Sequence, residues 1–317
     1  MKAFTRTVYG GPEVLRLSET DKPLVGDDQI LVRVRANSAN PADWHILRGK
    51  PYFARLTFGL FTPKDKIPGA DFAGVVEAAG RNVNDFRAGD RVFGESLKGG
   101  AFAEYIAVPA TVCARMPAAV DFPVMAAVPI AGLTALQAVV THGKLKQGES
   151  VLINGSSGGV GHFAVQIAKA HGARVTAVCS SRNAEFVRSL GADAVIAYDK
   201  EDIHLHTTKY DLVLDTNGNL EYRDFVRMGR RGVVTGFTTM GHMMSVQFKK
   251  ALGKFPLAQF TAQANPKDLA TLSSLVREGK IRPHIEKSYP YAELPQAIGY
   301  IEAMRTRGKV VMNWESR

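Results

Sequence analysis

Between Val151 and Ser181 the chain sets glycines and hydroxyls where a phosphate could be held. The run is Gly155-Ser156-Ser157-Gly158-Gly159-Val160-Gly161. Glycines let the backbone turn sharply and approach a pyrophosphate closely, because no Cβ intrudes. A helix that starts at such a turn offers its unpaired N–H groups and its positive dipole end to the phosphates. About twenty residues further on stand Ser180, Ser181 and Arg182. A site that selects a ribose 2′-hydroxyl usually carries a carboxylate there. Here the next acid is Glu185. Two hydroxyls and a guanidinium suit a 2′-phosphate, which Arg can grip through parallel hydrogen bonds. The cofactor indicated is NADP (NADPH) rather than NAD. The alternative is that Ser180 and Ser181 cap a helix over 183–190 while Arg182 is solvated.

The elements that must position this turn are also legible. Val151-Leu152-Ile153 is a short apolar run, expected as a buried strand. Phe163, Val165, Ile167, Ala168 and Ala170 then recur at helical spacing, and 174–178 is a second strand. Strand, glycine turn, helix and strand within about thirty residues make the βαβ unit of a dinucleotide-binding fold. Further strands are expected at 195–196, 211–215 and 232–237, with a helix over 219–228. Such repetition implies a parallel sheet covered by helices on both faces.

The rest of the chain has a different texture. Residues 1–123 are a series of short strands, with a hairpin about Gly10-Gly11-Pro12, an alternating strand at 29–36 and a short helix at 44–48. Residues 124–265 carry the alternating pattern, and 124–142 is apolar with helical content. Residues 266–317 hold helices at 266–278 and 294–305, an extended piece at 281–288 and a closing strand at 309–313. The loops 52–61 and 237–244 are expected to line a cleft.

Composition narrows the class. With 317 residues, 45% hydrophobic and 22% charged, the chain fits a soluble globular protein with a sizeable core. The net charge is +10. The positive residues are dispersed, which excludes a nucleic-acid-binding tail. A basic surface favours anionic cofactors and leaves peripheral contact with an anionic membrane open. The N-terminus has no apolar signal core, and the apolar stretch 123–140 is interrupted by Pro129, Thr134 and Gln137, so no transmembrane segment is expected. Cys113 and Cys179 are expected to be buried free thiols, and the location cytoplasmic.

Several motifs together resemble the medium-chain dehydrogenase/reductase superfamily, in the zinc-free quinone oxidoreductase branch that includes zeta-crystallin-like and chloroplast-envelope-type enzymes. They are Tyr9-Gly10-Gly11-Pro12, Asn40-Pro41-Ala42-Asp43-Trp44, Pro68-Gly69-Ala70-Asp71-Phe72-Ala73-Gly74, Gly89-Asp90-Arg91-Val92, Ala131-Gly132-Leu133-Thr134-Ala135, the glycine turn, Leu190-Gly191-Ala192-Asp193 and Gly308-Lys309-Val310-Val311. The resemblance covers nearly the whole chain. It implies a Rossmann domain inserted into a GroES-like β-rich catalytic domain, with cofactor and substrate meeting in the cleft between them. It also implies a homodimer.

Where zinc-dependent members have Cys, His and Cys ligands, this chain has Asn40, Ala70 and Ile130. No metal is expected, because catalytic zinc needs about three N, S or O ligands from the protein. The resemblance then implies acceptors that are already electron-poor: quinones, or alkenes conjugated to a carbonyl. Charge developing on the substrate oxygen would need hydrogen-bond donors. Asn40, His45 and Tyr52 are the candidates. Asn40 would contact the nicotinamide ribose or the substrate. His45 aligns with a tyrosine of zeta-crystallin-like relatives and would donate a hydrogen bond or a proton, or else only line the cleft. Tyr52 would supply a hydroxyl or serve as an aromatic wall.

Further cofactor contacts follow from the same resemblance. Thr134, at a helix start, matches a residue beside the nicotinamide-side phosphate, or is a plain helix hydroxyl. Tyr198 matches a tyrosine near the 2′-phosphate, or packs in the core. Asn217 and Gly218 would lie by the adenosine ribose, and Phe237, Thr238 and Thr239 by the nicotinamide. Lys309 is a cofactor contact or a structural residue. The activity implied is an NADPH-dependent quinone or enone reductase. The alternatives are an enoyl-thioester reductase and an NADPH-binding structural or regulatory protein without turnover.

Overall fold

A computed structural model of the chain describes residues 1–236 and 240–314. The chain divides into two units, one built from residues 1–130, 264–278 and 283–317, the other from residues 131–263 and 279–282.

In the first unit β1 (Lys2–Thr5) pairs antiparallel with β2 (Arg16–Glu19), setting Lys2 opposite Glu19. The connection is longer than the expected tight turn, because a 3-10 turn over Pro12–Val14 follows Gly11. The alternating stretch forms β3 (Gln29–Ala39), which runs on past its expected end and is buried on both sides there. Then come α1 (Pro41–Arg48), α2 (Arg55–Phe58), β4 (Asp71–Ala79), β5 (Arg91–Glu95), β6 (Tyr105–Pro109), β7 (Cys113–Arg115) and α3 (Phe122–Ala126). The expected loop at 52–61 is thus partly helical: a 3-10 turn over Tyr52–Ala54 leads into α2.

The second unit carries the alternating pattern. The helical stretch expected over 124–142 divides into α3 of the first unit, α4 (Pro129–Leu136) and a π-helical turn over Gln137–His142. There follow β8 (Ser150–Asn154), α5 (Gly159–Ala170), β9 (Arg174–Cys179), α6 (Ala184–Ser189), β10 (Ala194–Ala197), β11 (Tyr210–Asp215), α7 (Tyr222–Met228), β12 (Gly229–Val234), α8 (Met240–Leu252) and β13 (Leu257–Gln259). From Met240 onward the expected loop at 237–244 is helix, the first turn of α8. The six strands run parallel in the order β10-β9-β8-β11-β12-β13. Successive connections lead outward from β8 in one direction and from β11 in the other, so the sheet switches between these two strands. In a parallel sheet the space beyond the strands' carboxyl ends at such a switch is where ligands bind. Leu212, Val213 and Leu214 of β11 are all buried, as expected of a strand covered on both faces. Leu152, Val178, Phe225, Met228 and Val234 anchor the core of this unit.

The chain then returns to the first unit through α9 (Pro266–Arg277), β14 (Ile285–Pro290), α10 (Leu294–Glu302) and β15 (Lys309–Asn313). β14 and β15 extend the seven-stranded sheet to the order β14-β15-β3-β4-β5-β7, with β6 also on β3. β15 pairs antiparallel with β3, setting Val310 opposite Ala39. This register brings Lys309, near the end of the chain, beside Asn40. Phe4, Leu47, Leu294, Ile298 and Met312 pack together in one core of this unit, and Ile30, Phe72, Val92 and Ile106 in another.

Candidate active site

In the first unit the candidate residues are organised by the start of α1. Asn40 is its N-cap in extended geometry, with Pro41 in the first turn and a capping box closed by Asp43. The Asn40 N–H donates to Asp43 Oδ2 at 2.7 Å. The helix ends at Gly49, whose φ of +61° is a left-handed cap that favours glycine.

The Asn40 side chain is engaged at both ends. Its Nδ2 donates to Asp71 Oδ2 at 2.9 Å and to the Ser38 carbonyl at 3.4 Å, and its Oδ1 accepts from Lys309 Nζ. Asp71 opens β4 and also accepts the Ile130 N–H on Oδ1 at 3.0 Å. Lys309 Nζ lies 3.5 Å from Asp71 Oδ2. Across the β4–β5 pairing Asp71 faces Glu95. A buried cluster results, in which Asp43 and Asp71 share Lys309 as their cation while Glu95 faces Asp71.

Its electrostatics follow from that imbalance. Burial pushes Asp71 up and Lys309 down, while their mutual attraction and the donors from Asn40 and Ile130 favour the charged pair. Asp43 is raised to about 7 by burial and then by the Asp71 charge. Glu95 is raised to about 8 for the same two reasons. In this cluster Lys309 is buried and paired with Asp71. The Asn40 amide donates to Asp71 and Ser38 and accepts from Lys309. Asp43, Asp71 and Glu95 were not singled out from the sequence. Asp43 and Asp71 stand inside motifs that carry the resemblance, but with no role given to them there, and Glu95 stands in a strand-like stretch.

His45 lies on α1, half-buried and stacked on Trp44 with ring centroids 3.6 Å apart. Burial holds it below the usual histidine range. Tyr52 is 67% exposed, with the Arg55 guanidinium 5.0 Å from its ring centre. Ala70 is buried and, like Ile130, has no ligand atom in its side chain. No group of three or more His, Cys, Asp or Glu able to hold a metal occurs among the described residues.

In the second unit the glycine turn joins β8 to α5. Gly155 has φ of +80°, and a Cβ there would strike Asn217 and Thr216. Gly155 and Ser156 both donate their N–H groups to the Val178 carbonyl, at 3.2 and 3.1 Å. Gly158 is the N-cap of α5. The N–H groups of Gly159, Val160 and Gly161 belong to the first turn, where no intrahelical acceptor exists. His162, in that turn, has Nδ1 3.0 Å from the Gly158 carbonyl. A Cβ on Gly158 would meet nothing within 4 Å except Gly155 O at 3.4 Å, so the surface above the turn is open. Unpaired N–H groups beside an open glycine surface fit a pyrophosphate.

The serines divide. Ser156 is buried and its Oγ donates to the Val178 carbonyl at 2.9 Å. Ser157 Oγ accepts from Asn183 Nδ2 at 3.0 Å and ties the turn to the segment after β9. Ser180 is half-buried, Ser181 opens a 3-10 turn over Ser181–Asn183, and Arg182 is exposed. A carboxylate does stand at this point, contrary to expectation. Asp199, following β10, accepts the Ser181 N–H at 2.7 Å and the Ser181 Oγ–H at 2.6 Å. Tyr198 is 55% exposed, so it is not a core residue. Its N–H donates to the Cys179 carbonyl at 3.0 Å, which sets it beside the end of β9.

Asn217 and Gly218 follow β11, where buried Asp215 Oδ1 accepts their N–H groups at 3.1 and 2.9 Å. Asp215 Oδ2 accepts the Leu220 N–H at 2.8 Å, and Asn154 Nδ2 donates to Oδ1 at 2.8 Å. This carboxylate therefore shapes the loop beside the glycine turn. Thr134 lies well inside α4 rather than at a helix start. Phe237, Thr238 and Thr239 lie outside the described residues. Cys113 and Cys179 are free and buried. No helix among the described residues is long and apolar enough to cross a membrane.

Residues 26–118 match the alcohol dehydrogenase GroES-like domain family, and residues 190–312 match the zinc-binding dehydrogenase family. The chain is 33% identical to the NADPH-dependent alkenal/one oxidoreductase of Arabidopsis thaliana chloroplasts, over 98% of this chain and 79% of that one. The solved quinone oxidoreductase from Coxiella burnetii has a TM-score of 0.88 to it at 32% identity, covering 99% of both chains. The Escherichia coli quinone oxidoreductase, solved in complex with NADPH, has a TM-score of 0.83 at 25% identity, over 99% of this chain and all 100% of that one.

Proposed function

The chain belongs to the medium-chain dehydrogenase/reductase superfamily, in its quinone oxidoreductase-like branch, and from that premise we propose an NADPH-dependent reductase of quinones or α,β-unsaturated carbonyls. The observation that carries the proposal is the open glycine surface at Gly158, set at the start of α5 and at the switch point of the parallel sheet. When bound, the reduced nicotinamide supplies a hydride.

The residues of this chain supply binding and polarity. The first-turn N–H groups of α5 hold the pyrophosphate, and Ser180, Arg182 and Tyr198 lie where the adenosine end is read. A substrate oxygen that gains negative charge needs a donor. His45 and Tyr52 remain the candidates, since the Asn40 amide is committed to Asp71 and Lys309. Burial lowers the His45 pKa and so favours the neutral ring, which can donate a hydrogen bond.

We further propose that turnover is zinc-independent. Support comes from the side chains at the three ligand positions: Ala70 and Ile130 have no donor atoms, and Asn40 is already hydrogen-bonded. The two buried free cysteines agree with a reducing, cytoplasmic setting. A homodimer is carried over from the family.

The test is NADPH oxidation by the purified chain against a panel of quinones, enones and enoyl thioesters. Turnover is expected with the first two classes. Turnover confined to enoyl thioesters would reassign the substrate, and NADPH binding without any turnover would point to a structural or regulatory role.

A further inference from the structure

We propose that Asp199 sets how far this chain prefers NADPH over NADH, by occupying the Ser181 donors that a 2′-phosphate would otherwise take. The proposal rests on the NADPH assignment above.

The geometry begins with strand register. β10 lies parallel to β9 with Ala197 opposite Cys179, and the Tyr198 N–H donates to the Cys179 carbonyl. The chain beyond therefore runs alongside the segment that opens with Ser180. Asp199 closes on Ser181 with both oxygens: Oδ1 takes the N–H at 2.7 Å and Oδ2 the hydroxyl at 2.6 Å. Ser181 opens a 3-10 turn, which is held to the glycine turn through Asn183 and Ser157. In a dinucleotide-binding βαβ unit this is the place where the adenosine ribose is read.

A 2′-phosphate arriving there carries between one and two negative charges. It seeks N–H and O–H donors and a guanidinium. The Ser181 donors are already spent on a carboxylate. The two Ser181 hydrogen bonds hold that carboxyl below its usual range, the hydroxyl contributing most, with Lys200 adding to the effect. Asp199 is thus anionic throughout the neutral range and repels the phosphate. A 2′-hydroxyl meets no such penalty, because a carboxylate accepts its proton as in NAD-selective sites. Arg182, exposed on the same turn, pulls the other way. The preference for NADPH is the balance between Arg182 and Asp199.

The experiment measures dissociation constants for NADPH and NADH, by cofactor fluorescence, on the parent, Asp199→Asn, Asp199→Ser, Ser181→Ala and the Asp199→Asn/Ser181→Ala double variant. Removing the charge is expected to tighten NADPH by roughly tenfold, the size of a like-charge contact in a largely aqueous setting. NADH should stay the same or weaken. The gain should shrink when Ser181 is already alanine, because the two residues act as a pair. Equal changes for both cofactors, or weaker NADPH binding in both Asp199 variants, would mean that Asp199 only holds the turn, and would overturn the proposal. A parent that binds NADPH with a selectivity unmoved by Asp199 overturns this inference alone. A parent that binds neither cofactor overturns the functional assignment with it.

Discussion

The Lys309 ammonium and the Asp71 carboxylate stand 3.5 Å apart with side chains only 3% and 0% exposed. Both have lost their water, so their attraction and the donors from Asn40 and Ile130 must offset that desolvation. Removing one partner strands the other. Lys309→Met is expected to lower unfolding free energy by about 3–5 kcal/mol. The pair Lys309→Met with Asp71→Asn should recover much of that loss, since no buried charge is left alone. Denaturant unfolding of the three proteins measures this. A Lys309→Met protein as stable as the parent would show that the folded pair is not ionised.

Asp43 and Glu95 give the cluster a pH signature. Their folded-state values are raised to about 7 and about 8, against unfolded values of about 4. Between those limits the folded chain holds protons that the unfolded chain has released. Their contribution to stability is therefore fully present below about pH 4 and is lost as pH rises through about 7 and 8. Each group contributes a slope of about 1.4 kcal/mol per pH unit within its window. Asp43→Asn and Glu95→Gln should each flatten the parent's decline in unfolding free energy between pH 5 and pH 8. Parallel curves for parent and variants would place these carboxyls in the ordinary range.

The proposed independence from zinc has a direct check. Elemental analysis of the purified chain is expected to find no stoichiometric zinc, and chelator treatment should leave NADPH oxidation unchanged. Activity lost with a chelator and restored by added zinc would show ligands other than residues 40, 70 and 130.

Arg182 is the attractive half of the cofactor balance. A charge-assisted contact to phosphate contributes roughly 1.5–3 kcal/mol, equivalent to roughly ten- to a hundred-fold in affinity. Arg182→Ala should weaken NADPH by that factor and leave NADH nearly unchanged, because NADH has no phosphate to lose. Equal losses for both cofactors would make Arg182 a support of the turn. An aspartate at position 181 is not the reverse experiment. It would face Asp199, whose carboxylate already occupies that side.

What could be read from the sequence was local. The strand–turn–helix at 151–170 and the closing strand at 309–313 declare themselves by apolar periodicity and by glycines, which act over a few residues. Asp71 gave no such signal, because its partners are set by strand register: Asn40 is 31 residues away, and Lys309 is 269 residues from Asn40. Asp199 was missed for the same reason, since it meets Ser181 across 18 residues only once β10 lies on β9. Helix α8 was hidden differently. Its Met244, Phe248 and Leu252 are exposed, so its apolar residues do not mark a core-facing stripe.

The glycine turn separates two roles that its sequence runs together. A Cβ on Gly161 would lie 2.1 Å from the Gly155 carbonyl and 2.7 Å from Ser156 Cα, so this glycine is required by the turn's own backbone. A Cβ on Gly158 would meet only Gly155 O, at 3.4 Å, and would otherwise project into open space. Gly161→Ala should therefore destabilise the fold itself, by about 1–3 kcal/mol as overpacking does. Gly158→Ala should change stability by less than about 1 kcal/mol, the cost of a tolerated surface change. It should still weaken NADPH by more than about tenfold, because the added carbon stands where the pyrophosphate approaches. Thermal unfolding and NADPH titration on both variants separate the two effects. Unchanged NADPH affinity in a well-folded Gly158→Ala protein would remove the pyrophosphate from this turn.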